Sequence, residues 1–197
     1  MAVAIKQIYS RSLQTVREIT ASVYLDNHDN LIDIIDVFYD ELDTYIVMPY
    51  LEKAQELMEL AHTRNKDKNK EKLSQDLART YMRQILSGVA HLQDPGLFHG
   101  DLHGANVMVQ SHLQKATILD FGRANFGAFG KIKDVQSCGA ILQMLGKAAG
   151  RMGAQVQRLI DALKSGKITA AQALNHAWFQ EDPKICLLYT SPSPRDA

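Results

Sequence analysis

Two aspartates and an asparagine stand out for the company they keep. His99-Gly100-Asp101-Leu102-His103-Gly104-Ala105-Asn106 is followed, fourteen positions after Asn106, by Asp120-Phe121-Gly122. Runs that read as short strands, 97–109 and 116–120, flank these residues and predict a functional loop between them. A carboxylate held in such a loop can accept a proton. A carboxylate together with an amide oxygen can ligate a hard cation. Either aspartate alone reads as a turn residue, but the three polar residues in this order and setting do not. Upstream, Val3-Ala4-Ile5-Lys6 sets a lysine at the end of an apolar run, and Arg17-Glu18-Ile19 puts an acid on the helical segment that follows. By itself that lysine reads as a surface residue.

In this order the four segments resemble the motifs of the protein kinase catalytic domain, and the resemblance covers nearly all of 1–180. It implies Mg²⁺/ATP-dependent phosphoryl transfer to Ser or Thr of a protein substrate, chemistry that consists mostly of positioning and charge neutralisation. Lys6, paired with Glu18, would hold the α- and β-phosphates of ATP. Asp101 would accept the proton of the substrate hydroxyl, and Asn106 and Asp120 would hold metal. Tyr45-Ile46-Val47-Met48-Pro49-Tyr50-Leu51 resembles the strand entering the hinge. Met48 would then be the gatekeeper, with adenine bonded to the Pro49 carbonyl and the Leu51 amide; a proline fits where only a carbonyl is needed. His99 and Phe121 would stack between the lobes, and Asp134 would bond the backbone near His99. Ile168 to Phe179 resembles the last kinase helix with its His-x-Trp-Phe ending.

The chain also departs from the family pattern. A Gly-rich loop would fall just upstream of Val3, where only Met1-Ala2 stand, so a clipped first lobe and weak or no ATP binding are expected. Gly100 replaces the arginine that pairs with an activation-loop phosphate, and 123–133 holds no Ser, Thr or Tyr, so no activation by phosphorylation is expected there. The Ala-Pro-Glu motif is absent, and only eleven residues separate Gly122 from Asp134. His103 stands where the family has the lysine that touches the transferred phosphate, and a mostly neutral imidazole carries less charge. His-Gly-Asp-Leu-His-x-x-Asn with a short following segment also resembles small-molecule phosphotransferases of the aminoglycoside and choline kinase type. A scaffold that binds without catalysing is the third alternative.

The elements that must position these residues follow from the pattern. A strand over 2–8, an amphipathic helix over 11–25 with Leu13, Val16, Ile19 and Val23 in series, and a hairpin of Leu31–Tyr39 and Thr44–Met48 make a small sheet half. Helices are predicted over 51–61, from Ser74 to about His91, and over 134–149, 153–164 and 168–177. The fold class is α+β, a two-lobed kinase-like domain over 1–185: an N-lobe remnant 1–48, a hinge 49–51 and a mostly helical C-lobe 52–185 with a short activation segment. Residues 62–72, with five Lys/Arg and two acids, read as a solvated loop. Cys186 to Asp196 match the in-frame translation of a transposase sequencing adapter, so 186–197 is excluded from the fold.

Composition narrows the function classes. Lys+Arg and Asp+Glu are 22 each among 197 residues, so no net basic field exists to hold nucleic acid or an anionic membrane. The apolar runs are too short to span a bilayer, the first residues carry no secretory signal, and the two cysteines make no disulfide framework. The expectation is an intracellular, cytoplasmic protein whose partners are ATP and a protein substrate.

Overall fold

The computed structural model describes residues 2–9, 13–25, 27–66 (backbone only over 64–66), 73–150 and 153–180. The adapter-like tail and residues 67–72 of the basic loop lie outside them.

The chain opens with β1 (Val3–Tyr9), α1 (Leu13–Tyr24), β2 (Asp36–Tyr39) and β3 (Asp43–Pro49). The three strands form an antiparallel sheet in the order β1-β3-β2. The 2–8 strand and the hairpin are therefore present, with the first hairpin arm shorter than its β-rich run. Leu31 instead bridges in parallel to Ile118. The segment 30–32 is pinned there by Ile32 N–H to the Ile118 carbonyl at 2.9 Å, Ile118 N–H to the Asn30 carbonyl at 2.8 Å, and the Asn30 side-chain amide to the Ala116 carbonyl at 2.9 Å. These bonds fasten the segment that leads out of α1 to the second half of the chain.

α1 forms where the apolar spacing places it, but the apolar series does not face the core. Leu13, Val16 and Val23 are exposed, and the buried positions are Thr15, Glu18 and Ala21. The spacing of three puts those residues on one stripe, and that stripe carries the one side chain, Glu18, that meets Lys6. The inward stripe of this helix thus carries the ion pair, while Leu13, Val16 and Val23 face solvent and Ile19 is half-buried.

The second half comprises β4 (Gln55–Glu56), α2 (Leu57–Lys66), α3 (Gln75–Gln93), β5 (Leu97–Phe98), β6 (Val107–Gln110), β7 (Lys115–Ile118), β8 (Asn125–Phe126), α4 (Ala128–Ala149), α5 (Ala154–Ser165) and α6 (Ala170–Leu174). Two boundaries differ from expectation. The helix predicted from Leu51 begins only at Leu57, because a turn and β4, paired with β6, come first. α4 starts at Ala128, six residues before Asp134, straight after the β5–β8 pairing.

α3 is the central core helix. Ser74 caps it by accepting the Leu77 N–H at 3.0 Å, and Tyr81, Met82, Ile85, Leu86, Val89 and Leu92 are fully buried along it. Ser74→Ala should lower stability by about 1 kcal/mol, read as a shift in the urea midpoint with unchanged slope. In the same half of the helix, Arg79 and Arg83 donate to the carbonyls of Trp178 (2.9 Å) and Phe179 (2.6 Å) and lie over their rings, so the aromatic ending packs onto the core helix. Among the described residues no helix is long and apolar enough to cross a membrane. Cys138 is a free, buried thiol, its pKa pushed up by burial.

Candidate active site

Lys6 lies on β1 at the position opposite Ile46 of β3. Its ammonium donates to both Glu18 oxygens at 2.8 and 2.9 Å and to Asp120 Oδ1 at 2.9 Å. Three elements far apart in sequence thus meet at one charge. Burial works against the Lys6 ammonium, but the two carboxylates outweigh it and hold its pKa above the ordinary lysine value. Glu18, whose side chain is only 4% exposed, stays above the ordinary glutamate range because desolvation exceeds what one shared ammonium returns. Asp120 is half exposed; burial would raise it, but Lys6, the Gly122 N–H and His99 hold its pKa below the ordinary aspartate value.

Asp120 adopts the left-handed conformation, φ 64°, one of the few residue types that tolerates it. That turn brings Gly122 against α1: a Cβ there would lie 2.5 Å from Gln14 Cγ, so the glycine permits the close approach.

The loop carrying Asp101 is held from below by a buried carboxylate. Asp134 on α4 accepts the N–H groups of His99 (2.5 Å) and Gly100 (3.0 Å). Burial raises its pKa, and those two N–H groups oppose the rise. The His99 ring is fully buried, with Nε2 2.8 Å from the Leu119 carbonyl and Nδ1 accepting the Asp101 N–H at 3.2 Å. With Nδ1 as acceptor, Nε2 carries the proton and donates to Leu119. The Phe121 ring packs against it at 5.4 Å with planes tilted by 54°, a tilted contact and not the expected stack.

Asn106 ends a short 3₁₀ turn and donates its side-chain amide to the Asp101 carbonyl at 2.8 Å. Its remaining amide oxygen is the atom that can ligate a cation. Asp101 itself is a third exposed; His103 Nε2 is 4.0 Å from Oδ2, and Arg123 Nη1 is 3.3 Å from Oδ1. The sequence reasoning did not single out Arg123. The signal that could have found it is a cation next to Asp120-Phe121-Gly122 in a segment where Gly100 supplies none.

Met48, Pro49 and Leu51 are half-buried at the end of β3 and beyond it. Pro49 pairs with Val3, and Tyr50 donates to the Ala2 carbonyl at 3.2 Å. Pro49 and Leu51 line a cavity of about 460 Å³ with Asn30, Ser87, Lys115 and Thr117, whose lining includes none of Lys6, Asp101, Asn106 or Asp120. Lys6, Glu18 and Asp120 therefore come together directly, as do Asp101, Asn106 and His103.

A pH dependence follows from two histidines. His99 is held below the ordinary histidine pKa by burial, against the Leu119 carbonyl and the nearby aspartates. His28, stacked on His91 at 4.8 Å, is lowered by burial and then by the charge of His91, with Asp29 opposing. Both pKa values are lower in the folded than in the unfolded chain. Their stabilisation is fully present above about pH 6.5 and is lost as pH falls through the folded values. The melting temperature should therefore fall between about pH 7 and 5.5, and His28→Gln should flatten that slope. A profile level across this range would contradict the assignment.

The protein kinase domain family model matches residues 1–141. Among curated proteins, the chain is 33% identical over 114 residues to the serine/threonine-protein kinase GIN4 of Saccharomyces cerevisiae, covering 58% of this chain and 9% of that one. It is 31% identical over 121 residues to calcium-dependent protein kinase 6 of Plasmodium berghei, 61% of this chain and 8% of that one. It is 25% identical over 228 residues to CBL-interacting protein kinase 9 of Oryza sativa subsp. japonica, 87% and 48% respectively. The chain spans less than half the length of each of these relatives.

Proposed function

The chain belongs to the protein kinase domain family, and from that premise we propose that it transfers the γ-phosphoryl group of Mg²⁺-bound ATP to serine or threonine hydroxyls of protein substrates. The observation that supports this most is the Lys6 ammonium shared between Glu18 and Asp120 at 2.8 and 2.9 Å. A lysine oriented by one buried acid and set beside a half-exposed one is placed to receive phosphate oxygens next to a cation.

The donor set fits Mg²⁺. Asp120 and the Asn106 amide oxygen would hold it, and one carboxylate, one amide and the substrate's phosphates are the kind of shell that Mg²⁺ accepts. Bound there, the ion would neutralise the charge of the phosphates. Asp101 would orient the substrate hydroxyl and take its proton. Asp134 and Asn106 hold the backbone on either side of Asp101, so the base is positioned before substrate arrives. Met48, Pro49 and Leu51 would meet the adenine. The same reading puts an N-lobe over 1–48, a hinge over 49–51 and a C-lobe beyond, and a cytoplasmic setting where ATP is available.

The test is the full chain with Mg²⁺ and γ-labelled ATP, offered a panel of proteins and a panel of aminoglycosides and choline. Label on Ser or Thr of a protein is the expected result. Label on a small molecule alone would overturn the choice of substrate. Nucleotide binding with no transfer would leave a scaffold.

A further inference from the structure

We propose that Arg123 is a γ-phosphate-binding residue, the cation that meets the transferring phosphoryl group beside Asp101. The inference deepens the reading above and rests on it. Its first support is the contact itself: one guanidinium N–H reaches Asp101 Oδ1 at 3.3 Å, from a side chain that is 68% exposed. If Asp101 takes the proton of the acceptor hydroxyl, the phosphoryl group arrives at that hydroxyl's oxygen, one hydrogen bond from the carboxylate, and a group touching Asp101 is near both. A planar fork of five donors can bridge a carboxylate and a phosphoryl oxygen at once.

The second support is how the backbone puts it there. β5 and β8 pair antiparallel with Leu97 opposite Phe126 and Phe98 opposite Asn125. Beyond that two-pair ladder, Arg123 lies in a turn that rests against Gly100. Gly100 has φ 80°, and a Cβ on it would lie 2.5 Å from the Arg123 carbonyl oxygen. Only a residue without a side chain lets the Arg123 backbone lie over the Asp101 loop. The loss of a side chain at 100 and the reach of Arg123 are one arrangement. Lys6, by contrast, is tied to Glu18 and Asp120, and His103 lies farther from the carboxylate, with Nε2 4.0 Å from Asp101 Oδ2.

The γ-phosphate distinguishes ATP from ADP, so nucleotide affinity isolates the claim without requiring turnover. Dissociation constants for Mg-ATP and Mg-ADP would be measured on the full chain and on Arg123→Ala, Arg123→Lys and the double variant Arg123→Ala/His103→Lys, each with its melting temperature. Arg123→Ala should weaken ATP by about tenfold and change ADP by less than about twofold. Arg123→Lys should recover part of the loss as a point charge. A lysine at 103, flanking the other oxygen of Asp101, should restore the preference for ATP in the double variant. Equal weakening of both nucleotides, or of neither, would overturn the assignment of Arg123. A wild-type chain that binds neither nucleotide would overturn the reading of function on which it rests.

Discussion

Asp101→Asn is expected to lower phosphoryl transfer by about 10²–10⁴-fold, the range that a positioned general base contributes, while nucleotide affinity and melting temperature stay close to wild type. The substitution keeps the size of the side chain and leaves the scaffold around it untouched. The Asp101 carbonyl still accepts from Asn106, and the Asp101 N–H still donates to His99 Nδ1. What goes is the carboxylate: no group at 101 can then take the hydroxyl proton, and the amide can turn a donor toward Arg123 where an acceptor stood. The informative readout is single-turnover transfer beside ATP binding on the same preparation. Unchanged transfer would mean that Asp101 is not the base, and equal losses in binding and transfer would point to a role in holding nucleotide.

The parts of this site that were legible in the sequence are those whose chemistry is local. Asp101 and Asn106 share one loop, and five residues suffice to bring the amide onto the Asp101 carbonyl. The Lys6–Glu18 pair was legible only through the resemblance to the kinase motifs, since a lone lysine after an apolar run reads as a surface residue. What was not legible depends on contacts that no local pattern encodes. The apolar spacing of Leu13, Val16 and Val23 pointed α1 inward, yet these residues face solvent and Glu18 faces in to Lys6. α4 begins six residues before its Asp134 motif because the short β5–β8 ladder ends at Phe126 and Gly127 lets the helix start at once. Asn30 carries no local signal, yet its amide bonds a carbonyl 86 residues away. Arg123 was hidden for a similar reason: its backbone rests against a glycine, and an absent side chain leaves no motif to read.

Asp134→Ala should be the most destabilising single change in the site, by about 3 kcal/mol, and should lower the melting temperature by about 6–12 °C for a chain of this size. Asp134 is 1% exposed, and both its oxygens are occupied, by the N–H groups of His99 and Gly100. Alanine relieves the cost of a buried charge, which is why the loss is not larger. It also leaves two N–H groups without their acceptor, one of them on fully buried His99, where water cannot replace it, the other on exposed Gly100. Asp134→Asn should fall in between, because its single oxygen can serve one N–H while its NH₂ group faces the other. The two stranded donors belong to the residues directly before Asp101, so transfer should fall in both variants even at temperatures where the chain stays folded. Hydrogen exchange gives the direct check: the amides of His99 and Gly100 should lose protection in Asp134→Ala before those of α3 do. A melting temperature equal to wild type would show that α4 does not hold this loop through Asp134.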